Sequence, residues 1–268
     1  MRRAAGFTLI ELIIVIVILG IISVISVRFI QFSAQGALDT ANRQQLGMAA
    51  GVVSEQVSRE LRAALPGSIR VSDDRDCIEF IPIITGSRYL DIPLTESAAD
   101  FEAVAASPDE SFSGRAVVYS YADGNLYDPG SPGAISELIA TVPEGSGEVT
   151  LSFSGGEHQF LEDSPTRRFF IVGEPVALAQ EPDSRFLYRY SGYGFQSATC
   201  SNLPDAFSPG DASREVVAAP LLPGSLNFDF VPPTLQRNGV VTLEFELQST
   251  QSDESIGVAQ EVQIRNVP

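Results

Sequence analysis

The 268-residue chain carries 17 basic residues, all of them arginine, against 34 acidic ones, a formal net charge of −17. Such a balance excludes nucleic acid and anionic membrane surfaces as partners won by bulk electrostatics. The length allows one or two domains and a sizeable buried core.

The chain opens with the basic pair Arg2-Arg3, then Gly6-Phe7-Thr8-Leu9-Ile10-Glu11-Leu12, and from Phe7 to Val27 it is apolar apart from Thr8, Glu11, Ser23, Ser26 and the neutral Gly20. A helix rising about 1.5 Å per residue needs roughly 20 such residues to cross a hydrocarbon core of about 30 Å. Arg2 and Arg3 hold the leader in the cytoplasm and send everything beyond Val27 to the other side. An acid within a membrane-length helix costs about 2.5 to 3.5 kcal/mol near its centre, which marks Glu11 as a functional residue in need of a partner. An acid near a helix end that snorkels to the interface is the plainer alternative.

The helical pattern continues beyond the apolar run. Leu38, Ala41, Leu46, Ala49, Val53, Val57, Leu61 and Leu65 recur at mostly four-residue spacing, with Glu55, Gln56, Arg59, Glu60 and Arg62 on the other faces, and Pro66-Gly67 ends the pattern. One continuous helix from Phe7 to Leu65 is predicted, about 90 Å long, with Gly36, Gly47 and Gly51 as local soft points.

Beyond Pro66 the period becomes that of strands. Residues 77–82, 116–121, 149–153, 169–172, 186–190, 226–230, 240–247 and 258–264 carry aromatic and β-branched residues, several in clear alternation. Asp123-Gly124-Asn125, Ser191-Gly192 and Asn238-Gly239 supply hairpin turns. The stretches from Thr95 to Gly114 and from Ser201 to Gly224 read as long surface loops or insertions. The predicted fold class is α+β: a long amino-terminal helix whose second half packs on an antiparallel β-sheet. Its divisions are a leader (1–6), a membrane-spanning helix (7–27), an amphipathic continuation (28–65) and a β-rich domain (66–268).

Cys77 and Cys200 are the only cysteines, an even count in a domain that topology places in an oxidising compartment, so a disulfide is expected, with two separate buried thiols as the alternative. Catalytic chemistry finds little to stand on. His158 is the single histidine, read here as a solvated turn residue, and no nucleophile elbow is present. Asp73-Asp74 with Asp76, and Asp123 with Asn125 and Asp128, are carboxylate clusters of a kind that suits calcium, but neither follows the EF-hand spacing, and turns with a solvated face are the preferred reading. Tyr188, Tyr190, Tyr193 and Phe195 are either a packed strand face or a sugar-binding platform. No catalytic residue, metal or cofactor is expected.

The segment Gly6-Phe7-Thr8-Leu9-Ile10-Glu11-Leu12 behind a short basic leader resembles the class III signal of type IV prepilins and pseudopilins. The resemblance implies cleavage between Gly6 and Phe7 by a prepilin peptidase, methylation of the new amino terminus at Phe7, and survival of the apolar stretch in the mature chain, unlike an ordinary secretory signal. It further implies that Glu11 neutralises the Phe7 amine of a neighbouring subunit during assembly. Arg59 to Val71, Cys77-Ile78-Glu79-Phe80, Leu187 to Gly194 and Val262 to Pro268 resemble large minor pilins of the mannose-sensitive haemagglutinin (MSHA) pilus. Arg28 stands where many major pilins have a helix-interrupting proline. The implied function is that of a minor pilin acting in assembly or at the filament tip. A minor pseudopilin of a type II secretion system and a tip adhesin for a receptor or glycan are the alternatives. The implied partners are the peptidase, other pilins, the inner membrane and the assembly platform, with a periplasmic carboxy-terminal domain that reaches the cell surface in a pilus.

Overall fold

The computed structural model describes residues 8–121, 126–207, 212–233, 237–250 and 254–264. Helix α1 runs unbroken from Leu9 to Arg62, with Ala63 as C-cap. It stops three residues short of the expected Leu65, because Pro66 cannot continue a helix and the residues before it are already steered out of helical geometry. Leu65 N–H instead donates to the Ile81 carbonyl at 2.8 Å, and Ile83 N–H to that of Ala63 at 2.8 Å. Gly67 turns the chain at φ +85°, a region open to glycine, with the Tyr121 ring against it. Gly36, Gly47 and Gly51 do not interrupt the helix.

Fourteen strands follow among the described residues: β1 Arg70–Val71, β2 Cys77–Phe80, β3 Ile83–Arg88, β4 Asp100–Val104, β5 Phe112–Val118, β6 Ile135–Val142, β7 Glu148–Phe153, β8 Arg168–Val172, β9 Val176–Gln180, β10 Leu187–Ser191, β11 Ser213–Ala218, β12 Asn227–Val231, β13 Gly239–Gln248 and β14 Ser255–Ile264. All named pairings are antiparallel. The layout is α+β and consistent with a type IV pilin-like fold, but the strands form three sheets where one was expected: β1-β2-β9-β10-β11, β12-β13-β14 and β3-β8-β5-β6-β7-β4.

The first two sheets share a core with the second half of the helix. Leu46, Ala50, Val53, Val57 and Leu61, spaced by three or four, meet Ile78, Phe80, Val176, Leu178 and Leu187 of one sheet and Phe228, Val241, Leu243, Phe245 and Leu247 of the other. Burying the four larger helix side chains at about 1.5 to 3 kcal/mol each stabilises the dock by roughly 6 to 12 kcal/mol, an upper figure. Leu38 and Ala41, assigned to the same stripe by spacing, are exposed, so contact begins only near Leu46. In β13, Val241, Leu243, Phe245 and Leu247 alternate inward with polar outward residues, as an antiparallel strand with one wet face requires.

The third sheet is an insertion. β2 and β9 are adjacent in the first sheet, with Phe80 opposite Val176, yet residues 83–172 lie between them in sequence. That insert closes toward a barrel: its first strand β3 comes back to its last-in-order strand β4 through the Tyr89–Ala103 bridge and the Leu90 N–H to Glu102 carbonyl bond of 2.8 Å. Phe101, Phe153, Phe160 and Phe169 fill its interior, with Phe101 edge-on to both Phe160 and Phe169. The two stretches expected as loops or insertions contain strands, and the first lies within this insert. The stretch 95–114 holds β4, whose Phe101 and Ala103 alternate inward despite the Ala/Ser/Asp/Glu composition, and the start of β5; the stretch 201–224 holds β11. Ser191-Gly192 does not make a hairpin either, because a long segment separates β10 from its partner β11. Asp123-Gly124-Asn125 lies outside the described residues.

Candidate functional site: the exposed helix and the cluster behind it

Thr8 caps the helix. Its hydroxyl accepts from Glu11 N–H at 3.3 Å and its own N–H donates to the Glu11 carboxylate at 3.5 Å, a reciprocal capping box. The carboxylate thus turns back over the amino-terminal end of the helix, where the helix dipole also favours negative charge. The sequence carries the signal for this cap as Thr8-x-x-Glu11, a spacing that an intramembrane acid alone does not explain. Gly6 and Phe7, the expected cleavage and methylation positions, lie outside the described residues, as do Arg2 and Arg3.

From Leu9 to Val27 every large apolar side chain is more than 40% exposed, and the same helix meets the length and composition needed to cross a membrane. Ser23 hydroxyl donates to the Leu19 carbonyl at 2.7 Å, which satisfies its only hydrogen without solvent. The helix passes Arg28 without a break, and Phe29, Ile30 and Phe32 extend its exposed apolar surface beyond Val27. An uncovered surface of this size demands lipid or partner helices.

At the other end of the helix the structure gathers residues that are scattered in sequence. Cys77 in β2 is bridged to Cys200, 123 residues away. Glu79, also in β2, is fully buried. One of its carboxylate oxygens accepts from Arg70 Nε at 2.7 Å and from Cys200 N–H at 3.0 Å; the other accepts from the Tyr193 hydroxyl at 2.8 Å. Arg70 spends its remaining donors on the carbonyls of Gln196 and Ser197 at 2.6 and 2.9 Å, and its guanidinium lies 3.4 Å from the centroid of the Tyr127 ring. Tyr127 hydroxyl in turn donates to the Ser68 carbonyl at 2.7 Å. Burial and the neighbouring Glu79 push the Tyr193 hydroxyl far above its usual pKa, and burial does the same to Tyr127. Both phenols are therefore fixed hydrogen-bond donors at any physiological pH. The cluster clamps residues 193–200 onto the first sheet.

The other candidate residues fall elsewhere. Tyr188 and Tyr190 are buried beside the disulfide with Tyr193, and Phe195 packs beside Arg115 and Tyr127, so these aromatics are packed side chains and not an open sugar platform. Asp73 and Asp74 are exposed in the β1–β2 turn, and Asp76 accepts from the Ser72 hydroxyl at 2.9 Å. Asp128 is exposed; Asp123 and Asn125 lie outside the described residues.

His158 corrects the expectation of a solvated turn. Its ring is fully buried between Phe153 and Phe160, at centroid distances of 5.5 and 4.5 Å, and neither ring nitrogen has a hydrogen-bond partner among the described residues. The flanking residue pattern hid this: Gly155-Gly156-Glu157 reads as a turn, but backbone pairing of His158 with Ala98 carries the ring inward. Burial lowers its pKa to about 4, with the nearby Gly133 carbonyl, outside ordinary hydrogen-bond geometry, pulling the other way. The unfolded chain binds this proton near pH 6.5 and the folded chain does not, so stability falls as pH drops from about 6.5 toward 4 and is recovered above that window. The expected loss is on the order of 2 to 3 kcal/mol. Thermal melts between pH 7 and 4.5 check it: His158→Phe should remove most of the acid shift, and an unchanged pH slope in that variant would contradict it.

Comparison with known families agrees with the helix. The family model for the prokaryotic N-terminal methylation motif matches residues 1–27. No curated protein and no solved structure matches the chain. A prepilin-type methylation motif, an amino-terminal helix long and apolar enough to cross a membrane, and antiparallel sheets fit a membrane-anchored protein of the type IV pilin- or pseudopilin-like class. The motif implies processing by prepilin peptidase and assembly with other pilins.

Proposed function

We propose that this chain is a minor type IV pilin of the MSHA kind, cut between Gly6 and Phe7, methylated at Phe7 and built into a filament at or near its tip. The observation that carries this reading is the exposed, acid-capped, membrane-length helix whose stretch from Leu9 to Val27 lies within a matched methylation motif. The mature subunit waits in the inner membrane with residues 28–65 and the β-rich domain from 66 onward in the periplasm, then passes through the assembly platform to the cell surface. Two further points support the minor and tip assignments. The segments that resemble MSHA minor pilins, around Arg70, Cys77 to Glu79 and Tyr193, converge on one buried cluster. The inserted sheet of residues 83–172 adds bulk that subunits packed on all sides would have to accommodate, whereas a filament end leaves room for it. A minor pseudopilin of a type II secretion system shares the same helix. The adhesin reading is favoured by concave surface on the insert. The role is structural and not enzymatic, and calls for no cofactor or nucleic acid.

In this reading Glu11 works twice, as a cap in the isolated subunit and as the counter-charge for a neighbour's Phe7 amine in the filament, where a low dielectric strengthens the attraction. Glu11→Ala removes an acid from lipid, so membrane level and processing should be normal while surface filaments become few. Immunoblots of membrane fractions and filament counts by electron microscopy check this. Wild-type filament numbers with full incorporation of the variant would rule the role out.

A further inference from the structure

In this acidic chain, three arginines crowd one patch of the inserted sheet. Arg88 ends β3, Arg168 begins β8, and the two are direct register partners. Like charges placed opposite one another destabilise a strand pair. Arg167 stands beside them at φ 52°, a left-handed conformation that costs a non-glycine residue. Arg43, Arg70, Arg75, Arg189 and Arg214 each have a carboxylate partner, yet none of these three has one among the described residues. Two residues along β8, Phe170 packs against Gly86, where an added Cβ would come 2.8 Å from a ring carbon.

The surface around them is concave. Two shallow depressions, of about 440 and 600 Å³, share Arg88 and Val104: one adds Arg168 and Phe170, the other Leu90, Pro165, Thr166 and Arg167. The neighbouring acids are Glu102, on the same exposed face of β4 as Val104, Asp91 beside Leu90, Glu148, which pairs with Val104 from the far strand, and Asp163, whose carboxylate accepts from the Tyr89 hydroxyl; none of the four forms an ion pair with the three arginines among the described residues. Positive charge and apolar floor thus alternate along a short trough.

We propose that this trough binds an anionic polysaccharide, with carboxylate or sulfate groups held between Arg88, Arg168 and Arg167 and sugar-ring faces laid on Phe170 and Leu90. Guanidinium forks match planar or tetrahedral oxyanions bidentately, and an anion between facing arginines turns their repulsion into attraction. A slender chain is favoured over an acidic protein by the field of the molecule. Charges are screened beyond about 8 Å at physiological ionic strength, so a polymer lying in the trough feels the arginines, while a broad acidic surface would also meet the chain's own excess of acids. The proposal holds for a pilin or a pseudopilin alike, since it rests only on the insert.

The test uses the full chain in detergent, titrated with oligogalacturonate, dextran sulfate, neutral dextran and poly-glutamate. Oligogalacturonate or dextran sulfate should bind, and neutral dextran should not; which of the two is tighter identifies the carboxylate or the sulfate. Arg88→Gln with Arg168→Gln should weaken binding at least tenfold, as should raising salt from about 0.05 to 0.5 M. Without ligand, the double variant should melt at the same temperature as the parent or higher, because repulsion is relieved. No binding of either anionic glycan, undiminished binding by the double variant, poly-glutamate bound as tightly as the glycans, or a lowered melting temperature without ligand would each overturn the proposal.

Discussion

Glu79→Ala is expected to destabilise the β-rich domain by about 3 to 5 kcal/mol, the cost of leaving a buried ion pair without one partner. Glu79 has no exposed surface and receives three donors, from Arg70, Tyr193 and the Cys200 backbone. Removing it leaves the Arg70 guanidinium, only 18% exposed, facing a void with its charge uncompensated. Domains commonly have about 5 to 15 kcal/mol in total, so the loss is a large share of stability. Urea unfolding of the purified protein measures it. Glu79→Gln keeps the shape and one acceptor and should cost less than alanine; a loss below about 1 kcal/mol for alanine would show that the cluster is not a determinant of the fold.

Replacing both Cys77 and Cys200 by serine should cost a similar amount. A bridge spanning 123 residues removes, on the chain-entropy model, about 4 to 5 kcal/mol worth of freedom from the unfolded state. The bond also fixes Cys200, whose N–H is one of the three donors to Glu79. The two changes therefore act on one clamp, and their effects should not add: a cycle combining Glu79→Ala with the double serine variant should lose clearly less than the sum of the two. Strict additivity would mean that the disulfide and the carboxylate stabilise separate parts of the molecule. Alkylation before and after reduction checks the starting point, with no free thiol expected in the wild-type domain.

Much of this architecture was legible from spacing. The helix announces itself through an apolar run followed by a stripe at three and four residues, and β13 through strict alternation from Val241 to Leu247. What spacing could not give was β9: Val176 to Gln180 is buried throughout, so it has no wet face and no alternation to read. β4 does alternate, but its five residues sit among Ala, Ser, Asp and Glu that read as loop. The closure through Tyr89 and Ala103, and the placing of residues 83–172 between two adjacent strands, depend on contacts distant in sequence. The same holds for the Arg70–Glu79–Tyr193 cluster: its residues stood in the segments that looked pilin-like, but no local rule joins Glu79 to Tyr193 across 114 positions. His158 is hidden for a related reason, since a glycine-rich approach favours a turn and only pairing with Ala98 turns the ring inward.

We propose that residues 1–6 are a leader and that Phe7 is the methylated start of a membrane-anchored pilin subunit. Intact-mass and amino-terminal fragment analysis of the protein, purified from membranes of cells that contain a prepilin peptidase, tests it most directly. The account predicts a chain that begins at Phe7 and carries a methyl group on its amino nitrogen, with the apolar stretch to Val27 retained, and a Gly6→Val variant that keeps its leader. A mature chain that begins at Met1, or one cut beyond the apolar stretch, would contradict it.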